Sequence, residues 1–583
     1  MKELIYVWIE SVSNRANIRK QGMSFSNNYK VSLERLLFPD VITRIHIEKT
    51  ENLYQGFYGK NILSISALVG INGVGKTTIL DILGSTREIR KRNKVAWRFF
   101  ALYKINEQYV IEGNDLDVIQ SFVRDIHPSA DDEYSFICDY DENQRKLVFR
   151  DFCSASGEIE KSVKYYYFQD RPLDKKGYLL DDYQLDTDYN VCFERLDMQP
   201  DAANIYKTYC EFRKDKTFSQ SIDLSNLQFA VTPKKKVKMR FRGEVTEQTI
   251  KERWIVEMLL AVVETLEGGK KVLEQLHVDL KELFWEYDAQ KYGEYVSILL
   301  DAIRQNRWWN REDEVVPGRL ISLVGSIPGE FFERSKDSRW WFESSLTLSA
   351  DEEFSPIVYQ FLREYPEYVN FSYRNVSAGE KKVLDVFAGV YSNIARTKDR
   401  NVRDTMIILL DEPDKGLHPE MSRRFISWLV KVFDSLEDNR VKYQFILSTH
   451  SPFLISDIPA PYVHCLKQHV TEKSRYTTIE DSDFGLLNSI PDLMKDTFFM
   501  DSPFGEYGNQ YFKKLQAEIK ELTMKEDKVV IERLKKKIAA VNDEVLHRYL
   551  VKAFEEKLGS VGSKRQRIEY YEEKIRELRG ENE

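Results

Sequence analysis

The sequence predicts an α/β fold, because two apolar runs each end in a polar motif. The first run, Leu63 to Val69, is followed by Gly70-Ile71-Asn72-Gly73-Val74-Gly75-Lys76-Thr77-Thr78, a pattern that predicts a strand, a glycine-rich loop and a helix. The second run, Met406 to Leu410, ends in Asp411-Glu412. Uninterrupted apolar runs of this length are typical of buried parallel strands. We therefore expect a mixed sheet with helices, a helical insertion and a helical C-terminal region.

The glycine-rich segment at residues 70–78, called the phosphate loop below, has the composition of a phosphate-binding site. Its glycines let the backbone fold so that N–H groups point at a phosphate chain. The helix start adds a positive end, and Lys76 supplies a charge for the β- and γ-phosphates. A plain glycine turn would not explain Lys-Thr-Thr at the helix start. The predicted nucleotide-binding residues are Asn72, Gly73, Gly75, Lys76, Thr77 and Thr78.

The acidic pair that ends the second apolar run is the predicted centre of metal binding and catalysis. Ligands bind at the carboxyl ends of strands in open α/β sheets, which is where Asp411 and Glu412 are expected. Asp411, together with the hydroxyl of Thr77, would hold Mg²⁺, and Glu412 would orient and deprotonate the attacking water. A strand end meeting a turn is the alternative explanation, and the phosphate loop favours the functional one.

Two further motifs predict contacts with the γ-phosphate. Ser377 and Glu380, in Val376-Ser377-Ala378-Gly379-Glu380, have the spacing of a capping box at a helix start. In addition, Ser377 and Gly379 can grip the γ-phosphate of a nucleotide bound to another subunit. His450 directly follows Ser448-Thr449, which in turn follow the apolar run from Phe445 to Leu447. A buried core histidine is the alternative, but the position on the next predicted strand favours a γ-phosphate contact.

In this order, the motifs resemble the head of an ABC-type P-loop ATPase. The segments Asp411-Glu412-Pro413-Asp414 and Ser448-Thr449-His450-Ser451-Pro452 are similar to those of the SMC/RecF/OLD-like bacterial ATPases, a group described broadly as "AAA family ATPase". The segment from Asp483-Phe484-Gly485 to Phe499-Met500 resembles the PtuA-like ATPases of Septu and retron anti-phage defence systems. The resemblance covers residues 1–90 and 370–505.

The resemblance implies ATP and Mg²⁺ as cofactors and a site built from two chains. Two heads would meet face to face, with each nucleotide between Lys76 of one and Ser377 of the other, so the chain would form at least a dimer. Asp414 would also contact the nucleotide, and Lys76, Glu412 and His450 would be catalytic. The glutamine that such sites use is left open between two candidates, Gln169 and Gln228.

Two hypotheses for the biological role remain. The first is the ATPase subunit of an anti-phage defence system that senses a trigger or controls a separate nuclease or toxin, since the sequence has no H-N-H run and no histidine cluster. The second is a DNA-repair or chromosome-handling ATPase that binds DNA directly. A neighbouring nuclease gene would favour the first, and ATP-dependent binding to DNA ends the second. A transporter ATPase ranks third.

Composition narrows the setting. The 583 residues carry a net charge of −8 and are 42% hydrophobic, which indicates folded domains. The five cysteines form no C-x-x-C pair, so we expect a reducing cytoplasm and no zinc site. The sequence shows neither a basic-then-apolar leader nor an apolar run long enough to cross a membrane, so we expect no membrane contact. The basic segment from Pro233 to Arg242 leaves nucleic-acid contact and a solvated edge strand equally open.

Spacing of apolar residues and of glycine and proline divides the chain into four predicted parts. Residues 1–245 form an N-terminal ATPase lobe that carries the phosphate loop. Residues 246–370 form a compact helical insertion, broken at Gly268-Gly269, Pro317-Gly318 and Pro328-Gly329. Residues 371–505 form a C-terminal ATPase lobe. Residues 506–583 form a charged helical region, in which the segment that begins at Gly559-Ser560 is expected to separate the last helix from the preceding one.

Overall fold

A computed structural model gives the architecture of the chain as two compact units, Met1–Phe499 and Met500–Glu583. The structure describes residues 2–12, 17–37, 40–51, 53–84, 97–113, 135–152, 163–169, 193–195, 202–214, 227–234, 240–265, 271–272, 286–304, 315–334, 344–348, 355–398, 405–434, 441–471, 474–498, 502, 504–522, 528–560, 568, 572 and 576.

The strands are numbered in chain order. They are β1 (Lys2–Val12), β2 (Arg19–Ser24), β3 (Tyr29–Leu37), β4 (Asp40–Lys49), β5 (Ile62–Gly70), β6 (Trp97–Ile105), β7 (Gln108–Gly113), β8 (Ser135–Asp141), β9 (Lys146–Phe152), β10 (Val163–Gln169), β11 (Phe193–Arg195), β12 (Gln228–Pro233), β13 (Arg240–Arg242), β14 (Glu286–Asp288), β15 (Phe332–Arg334), β16 (Ser344–Leu348), β17 (Val369–Arg374), β18 (Thr405–Asp411), β19 (Lys442–Thr449), β20 (Val463–Val470) and β21 (Arg475–Asp481).

The α-helices are numbered in the same way. They are α1 (Lys76–Gly84), α2 (Ala202–Lys214), α3 (Glu247–Thr265), α4 (Tyr292–Arg304), α5 (Val315–Gly325), α6 (Ser355–Glu364), α7 (Ala378–Lys398), α8 (Pro419–Asp434), α9 (Pro452–Ile455), α10 (Ile490–Asp492), α11 (Glu506–Glu521), α12 (Lys528–Ala539) and α13 (Glu544–Ser560).

A seven-stranded sheet, in the order β11-β10-β18-β19-β5-β20-β21, forms the centre of the first unit. Strands β10, β18, β19, β5 and β20 run parallel to their neighbours, whereas β21 is antiparallel to β20. Alternate residues of β18 face different cores: Ile408 and Leu410 pack in one, and Ile407 and Leu409 in the other. Burial on both faces explains why this strand is an uninterrupted apolar run.

An eight-stranded antiparallel sheet, in the order β2-β1-β6-β7-β8-β9-β4-β3, packs against one face of the central sheet. The apolar segments at residues 4–9, 41–47 and 97–103 lie in its strands β1, β4 and β6. The predicted strand from Leu63 to Val69 belongs instead to the central sheet, as part of β5. The first unit is therefore a mixed α/β structure, as the sequence predicts.

Between the phosphate loop and the acidic pair, helices are combined with a four-stranded antiparallel sheet in the order β15-β16-β12-β17. Helix α3 is buried against this sheet, and the indole N–H of Trp254 donates to the carbonyl oxygen of Val231 at 3.1 Å. Pro317 does not break a helix: it lies in the first turn of α5, where a missing N–H costs nothing.

The second unit contains helices α11, α12 and α13, which share a small apolar core. This core is formed by Leu515, Ile519, Leu522, Leu534, Ile538, Leu550 and Phe554. Helix α13 continues through Gly559 and Ser560, further than the sequence predicts.

Several predicted features lie outside the described residues. These are the glycine pair 268–269, the centre of the basic segment at residues 235–239, and residues 499–500 at the end of the segment that begins at Asp483. Within the described ranges, no helix combines the length and the apolar character that crossing a membrane requires.

Candidate functional site

The phosphate loop connects the end of β5 to the start of α1. Gly73 has a φ of +81° and Gly75 a φ of +106°, left-handed conformations that side chains with a Cβ rarely adopt. Between them, the side chain of Val74 is fully buried and anchors the loop, while Ile71, Asn72 and Gly73 are exposed. The loop therefore presents backbone to solvent at the N-terminus of α1, a suitable arrangement for binding an anionic group.

Lys76 is the buried cation of the loop. Its Nζ donates to the carbonyl oxygens of Gly70 at 2.9 Å and Ile71 at 3.1 Å. It also lies 2.9 Å from Nε2 of His450. Burial lowers the pKa of Lys76 to about 8, an effect that the nearby carboxylates of Glu412 and Asp411 partly oppose.

Thr77 and Asp411 place two oxygen ligands side by side. The Thr77 hydroxyl donates to Oδ1 of Asp411 at 3.1 Å, although the two residues are 334 positions apart. A hydroxyl and a carboxylate at the edge of a phosphate site are the ligands that Mg²⁺ prefers. The residues present therefore fit a Mg²⁺ ion, and Thr77 and Asp411 could hold it.

Glu412 occupies a strained position directly after β18. Its φ is +47°, in the left-handed region that is unfavourable for residues other than glycine. Oε1 of Glu412 lies 3.5 Å from Nε2 of His450, and Oε2 lies 3.8 Å from Nζ of Lys415. The strained turn directs the carboxylate towards His450 at the end of the neighbouring strand.

His450 follows the last residue of β19. Burial and then the charge of Lys76 lower the pKa of His450 below its usual value. Since the ammonium group of Lys76 can only donate, Nε2 of His450 accepts in this contact. The ring is thus a neutral acceptor that contacts both the loop cation and the carboxylate of Glu412.

Asp414 is held by Thr449, the last residue of β19. Its Oδ2 accepts a hydrogen bond from the hydroxyl of Thr449 at 2.9 Å. Burial raises the pKa of Asp414 to about 6, and the bond from Thr449 partly opposes this effect. Thr449 contacts Asp414 and the next residue, His450, contacts Lys76. The end of β19 therefore brings both side chains to the same part of the site.

Strand register explains how residues from distant parts of the chain meet. Asp411 lies opposite Ser448 on one neighbouring strand and opposite Gln169 on the other, and Thr449 lies opposite Val69 of β5. The carboxyl ends of β10, β18, β19 and β5 therefore form one edge of the sheet. The structure brings Lys76, Thr77, Asp411, Glu412 and His450 together at this edge.

The segment around Ser377 makes a separate group of contacts. The Ser377 N–H donates to Oε2 of Glu380 at 2.8 Å and the Glu380 N–H donates to Oγ of Ser377 at 3.2 Å, which confirms the predicted capping box. A Cβ on Gly379 would lie 3.1 Å from Sδ of Met421 in α8. Within the described ranges, no hydrogen bond joins Ser377 to the phosphate loop, and Ser377 is exposed.

Sequence reasoning assigned no role to two residues of β19 that the structure connects to the site. Ser448 donates to Oδ1 of Asp411, and Thr449 donates to Oδ2 of Asp414. The signal in the sequence was two polar residues ending an otherwise apolar strand. Their partners became identifiable only from the register of β18 and β19.

Comparisons with known proteins agree with an ATPase. The family model described as "AAA domain, putative AbiEii toxin, Type IV TA system" matches residues 297–456, a range that includes Ser377, the acidic pair and His450. The "Retron Ec83 probable ATPase" of Escherichia coli is 31% identical over 102 residues. That alignment spans 17% of this chain and 18% of the relative, so it covers only a small part of either protein.

Two solved structures are similar at low identity. The recombination mediator protein RecF–ATPrS in the RecFOR pathway is 11% identical, with 82% of this chain and 98% of that chain covered and a TM-score of 0.24. An SMC head bound to the C-winged helix domain of ScpA is 12% identical, with 75% and 93% covered and a TM-score of 0.21. TM-scores of this size carry no argument about function.

The central sheet, its phosphate loop and the residues gathered at one edge define the class of the protein. It is an α/β protein with a phosphate loop at one edge of its central sheet, and its residues 297–456 are similar to an AAA domain.

Proposed function

We propose that the chain binds ATP with Mg²⁺ and hydrolyses it at the edge formed by β5, β18 and β19. The observation that carries this proposal is the set of contacts joining Lys76 to His450, His450 to Glu412, and Thr77 to Asp411. A buried cation, a metal-ligand pair and a carboxylate that can orient the attacking water are groups that phosphoryl transfer uses, and His450 lies beside them.

Each residue has a distinct role in this proposal. Lys76 leaves the carbonyl oxygens of the loop and binds the β- and γ-phosphates. Glu412 accepts a proton from the attacking water. Once Lys76 has turned away, Nε2 of His450 gains a proton and donates a hydrogen bond to the γ-phosphate. Held by Thr77 and Asp411, Mg²⁺ would supply positive charge to the phosphate oxygens. Asn72, Gly73, Gly75 and Thr78 bind phosphate through the loop and the helix start.

We further propose that two copies of the chain complete each site. Ser377 and Gly379 are available at the exposed start of α7, and Ser377 has no hydrogen bond to the phosphate loop of its own chain within the described ranges. The positive end of α7 and the hydroxyl of Ser377 suit a γ-phosphate bound to a partner copy. ATP would then join two heads and hydrolysis would separate them, with Asp414 near the shared nucleotide.

Between the two glutamine candidates, we favour Gln169 as the residue next to the reacting phosphate. Its Cα pairs with that of Asp411, so it ends its strand at the same edge of the sheet. Gln228 is in the four-stranded sheet, where its Oε1 accepts from the amide of Asn375 at 3.4 Å. Position at the edge therefore favours Gln169.

For the biological role, we propose an ATPase subunit of an anti-phage defence system that controls a separate nuclease or toxin. Support comes from the similarity to the retron ATPase and to a family whose description names a toxin–antitoxin system. A DNA-repair or chromosome-handling role with direct DNA binding is the second candidate, supported by the similarity of the segments from Asp411 to Asp414 and from Ser448 to Pro452 to those of the SMC/RecF/OLD-like ATPases. The two predict different partners: a protein effector or DNA ends.

The experiment that tests the core proposal measures ATP binding and mass together. Purified chain is titrated with ATP and Mg²⁺ in a calorimeter, and its mass is measured by light scattering with and without ATP. We expect saturable binding, phosphate release and an ATP-dependent dimer. A chain that hydrolyses ATP while its mass remains that of a monomer would contradict the two-chain site, whereas absence of ATP binding would contradict the proposal as a whole.

A further inference from the structure

Ser448, the penultimate residue of β19, connects the two acidic residues of the site. Its Oγ donates to Oδ1 of Asp411 at 2.6 Å. The same oxygen accepts from the backbone N–H of Glu412 at 3.0 Å, and the carbonyl oxygen of Ser448 lies 3.2 Å from that N–H. One serine therefore contacts the side chain of Asp411 and the backbone of Glu412 at once.

These contacts fix the direction of the Ser448 hydroxyl. A hydroxyl has one hydrogen to donate and two lone pairs to accept with. Donation to Asp411 uses the hydrogen, and the N–H of Glu412 occupies a lone pair, so both contacts form with a single orientation. The residue has 0% exposure, which means that water cannot replace either partner without entering the sheet.

The Glu412 contact bears on the strained turn. A φ of +47° costs free energy and persists only where surrounding contacts hold it. Two oxygens of Ser448, its Oγ and its carbonyl, are close to the Glu412 N–H, and this fixes where the chain leaves β18. Loss of the Oγ removes one of these restraints and leaves the direction of the Glu412 side chain less defined.

The Asp411 contact bears on the proposed metal ligand. Oδ1 of Asp411 accepts from two hydroxyls, those of Ser448 and Thr77. Thr77 is itself a candidate ligand and turns towards the metal when it binds. Ser448 is in the neighbouring strand and pairs in register with Asp411, so it can hold the carboxylate in both states.

We propose that Ser448 is a positioning residue of the ATPase reaction, which holds the Asp411 carboxylate for Mg²⁺ and the Glu412 turn for the attacking water. The inference rests on the proposed ATPase function. The competing explanation is that Ser448 only satisfies polar groups at a buried strand end. That purely structural role would lower thermal stability but would leave the Mg²⁺ requirement of the folded enzyme unchanged.

The chain offers a matched control. Ser66 in β5 also has 0% exposure, and its Oγ has no hydrogen-bond partner among the described residues. The variants Ser448→Ala and Ser66→Ala each remove a buried serine Oγ from adjacent strands of one sheet. Only Ser448→Ala also removes hydrogen bonds. Any general effect of altering a buried serine appears in both.

The experiment compares wild type with the two variants in three measurements. The first is ATP affinity without metal, and the second is the Mg²⁺ concentration that gives half of the Mg²⁺-dependent ATP binding under conditions without hydrolysis. The third is kcat. For Ser448→Ala we expect unchanged metal-free affinity, while half-saturating Mg²⁺ rises and kcat falls, each by about 10- to 100-fold, as for other residues that support metal ligands. Ser66→Ala should match wild type in all three.

Several results would overturn the proposal. One is a Ser448→Ala enzyme that has the Mg²⁺ requirement and the kcat of wild type. This result would overturn the proposal even if the melting temperature of the variant is lower. If Ser448→Ala does not fold, Ser448→Cys decides, because a thiol keeps the shape with weaker hydrogen bonds and should give intermediate values. A wild type that binds no ATP overturns the proposed function and this inference together, whereas an active wild type with an unaffected Ser448→Ala overturns only the inference.

Discussion

The ammonium group of Lys76 lies 2.9 Å from Nε2 of His450, 374 positions away in the sequence. This contact joins the phosphate loop to the end of β19, the strand that pairs in parallel with β5, which leads into the loop. Burial and then the charge of Lys76 lower the pKa of His450, which favours the neutral ring that accepts from the ammonium group.

Lys76→Ala should abolish measurable ATP binding. The substitution removes the cation that faces the phosphates, and charge-assisted hydrogen bonds of this kind contribute about 2 kcal/mol or more. Calorimetric titration with ATP measures the loss. Lys30→Ala is the control, because Lys30 is exposed on β3 and should bind ATP like wild type. Unchanged affinity in Lys76→Ala would show that the loop is not the phosphate site.

Glu412→Gln should keep ATP binding and lower kcat by about 100-fold or more, because an amide cannot accept the proton of the attacking water. The ATP-bound dimer should therefore accumulate, which light scattering detects. Glu420→Gln is the control, since Glu420 is half-buried at the start of α8, where its carboxylate pairs with Arg423 and Arg424. Wild-type turnover in Glu412→Gln would rule out Glu412 as the base.

Lys76 and Ser377 should act in trans. Mixing a Lys76→Ala chain with a Ser377→Ala chain produces some dimers with one intact site and one site that has lost both residues. If a single site can turn over, the mixture should recover part of the ATPase activity that each variant lacks alone. Recovery is measured as phosphate release against the mixing ratio. Full activity of a chain shown to be monomeric under turnover conditions would argue against composite sites.

ATP affinity should fall at alkaline pH. Burial lowers the pKa of Lys76 to about 8, so the free chain carries this charge below that pH and loses it above. Bound phosphates favour the charged form, so ATP binding above the pKa requires uptake of a proton, and affinity should fall by about tenfold per pH unit there. Below it, affinity should be flat.

Titrations with ATP on both sides of the Lys76 pKa measure this effect. Lys76→Arg is the matched variant, because a guanidinium keeps its charge throughout. Its affinity should be weaker but independent of pH in this range. A parallel decline in both proteins would assign the pH effect to a group other than Lys76.

The chain alone should not cut nucleic acid. Hydrolysis of phosphodiesters at useful rates normally requires a metal held by carboxylates or histidines with an activated water. The acidic pair Asp411-Glu412 is assigned to the nucleotide, so damage to phage or host should come from a separate effector. Purified protein is incubated with ATP, Mg²⁺ or Mn²⁺, and single- and double-stranded DNA and RNA. Cleavage that survives further purification and disappears with a carboxylate substitution outside residues 411–412 would refute a separate effector.

Local patterns in the sequence determined much of the fold and of the candidate site. The phosphate loop could be predicted because glycine spacing and a following Lys-Thr-Thr have a direct conformational meaning. The central strand before Asp411 could be predicted because burial on both faces requires an uninterrupted apolar run. The capping box at Ser377 could be predicted because its two hydrogen bonds depend only on residues three positions apart.

Tertiary structure alone decided which residues meet. The order of strands in the central sheet places Ser448 between Asp411 and the backbone of Glu412, and no spacing in the sequence predicts that register. The left-handed turn at Glu412 is likewise invisible to propensity, which would favour glycine there. Register depends on long-range packing of both sheet faces, so it is determined by the whole first unit and not by the residues that it brings together.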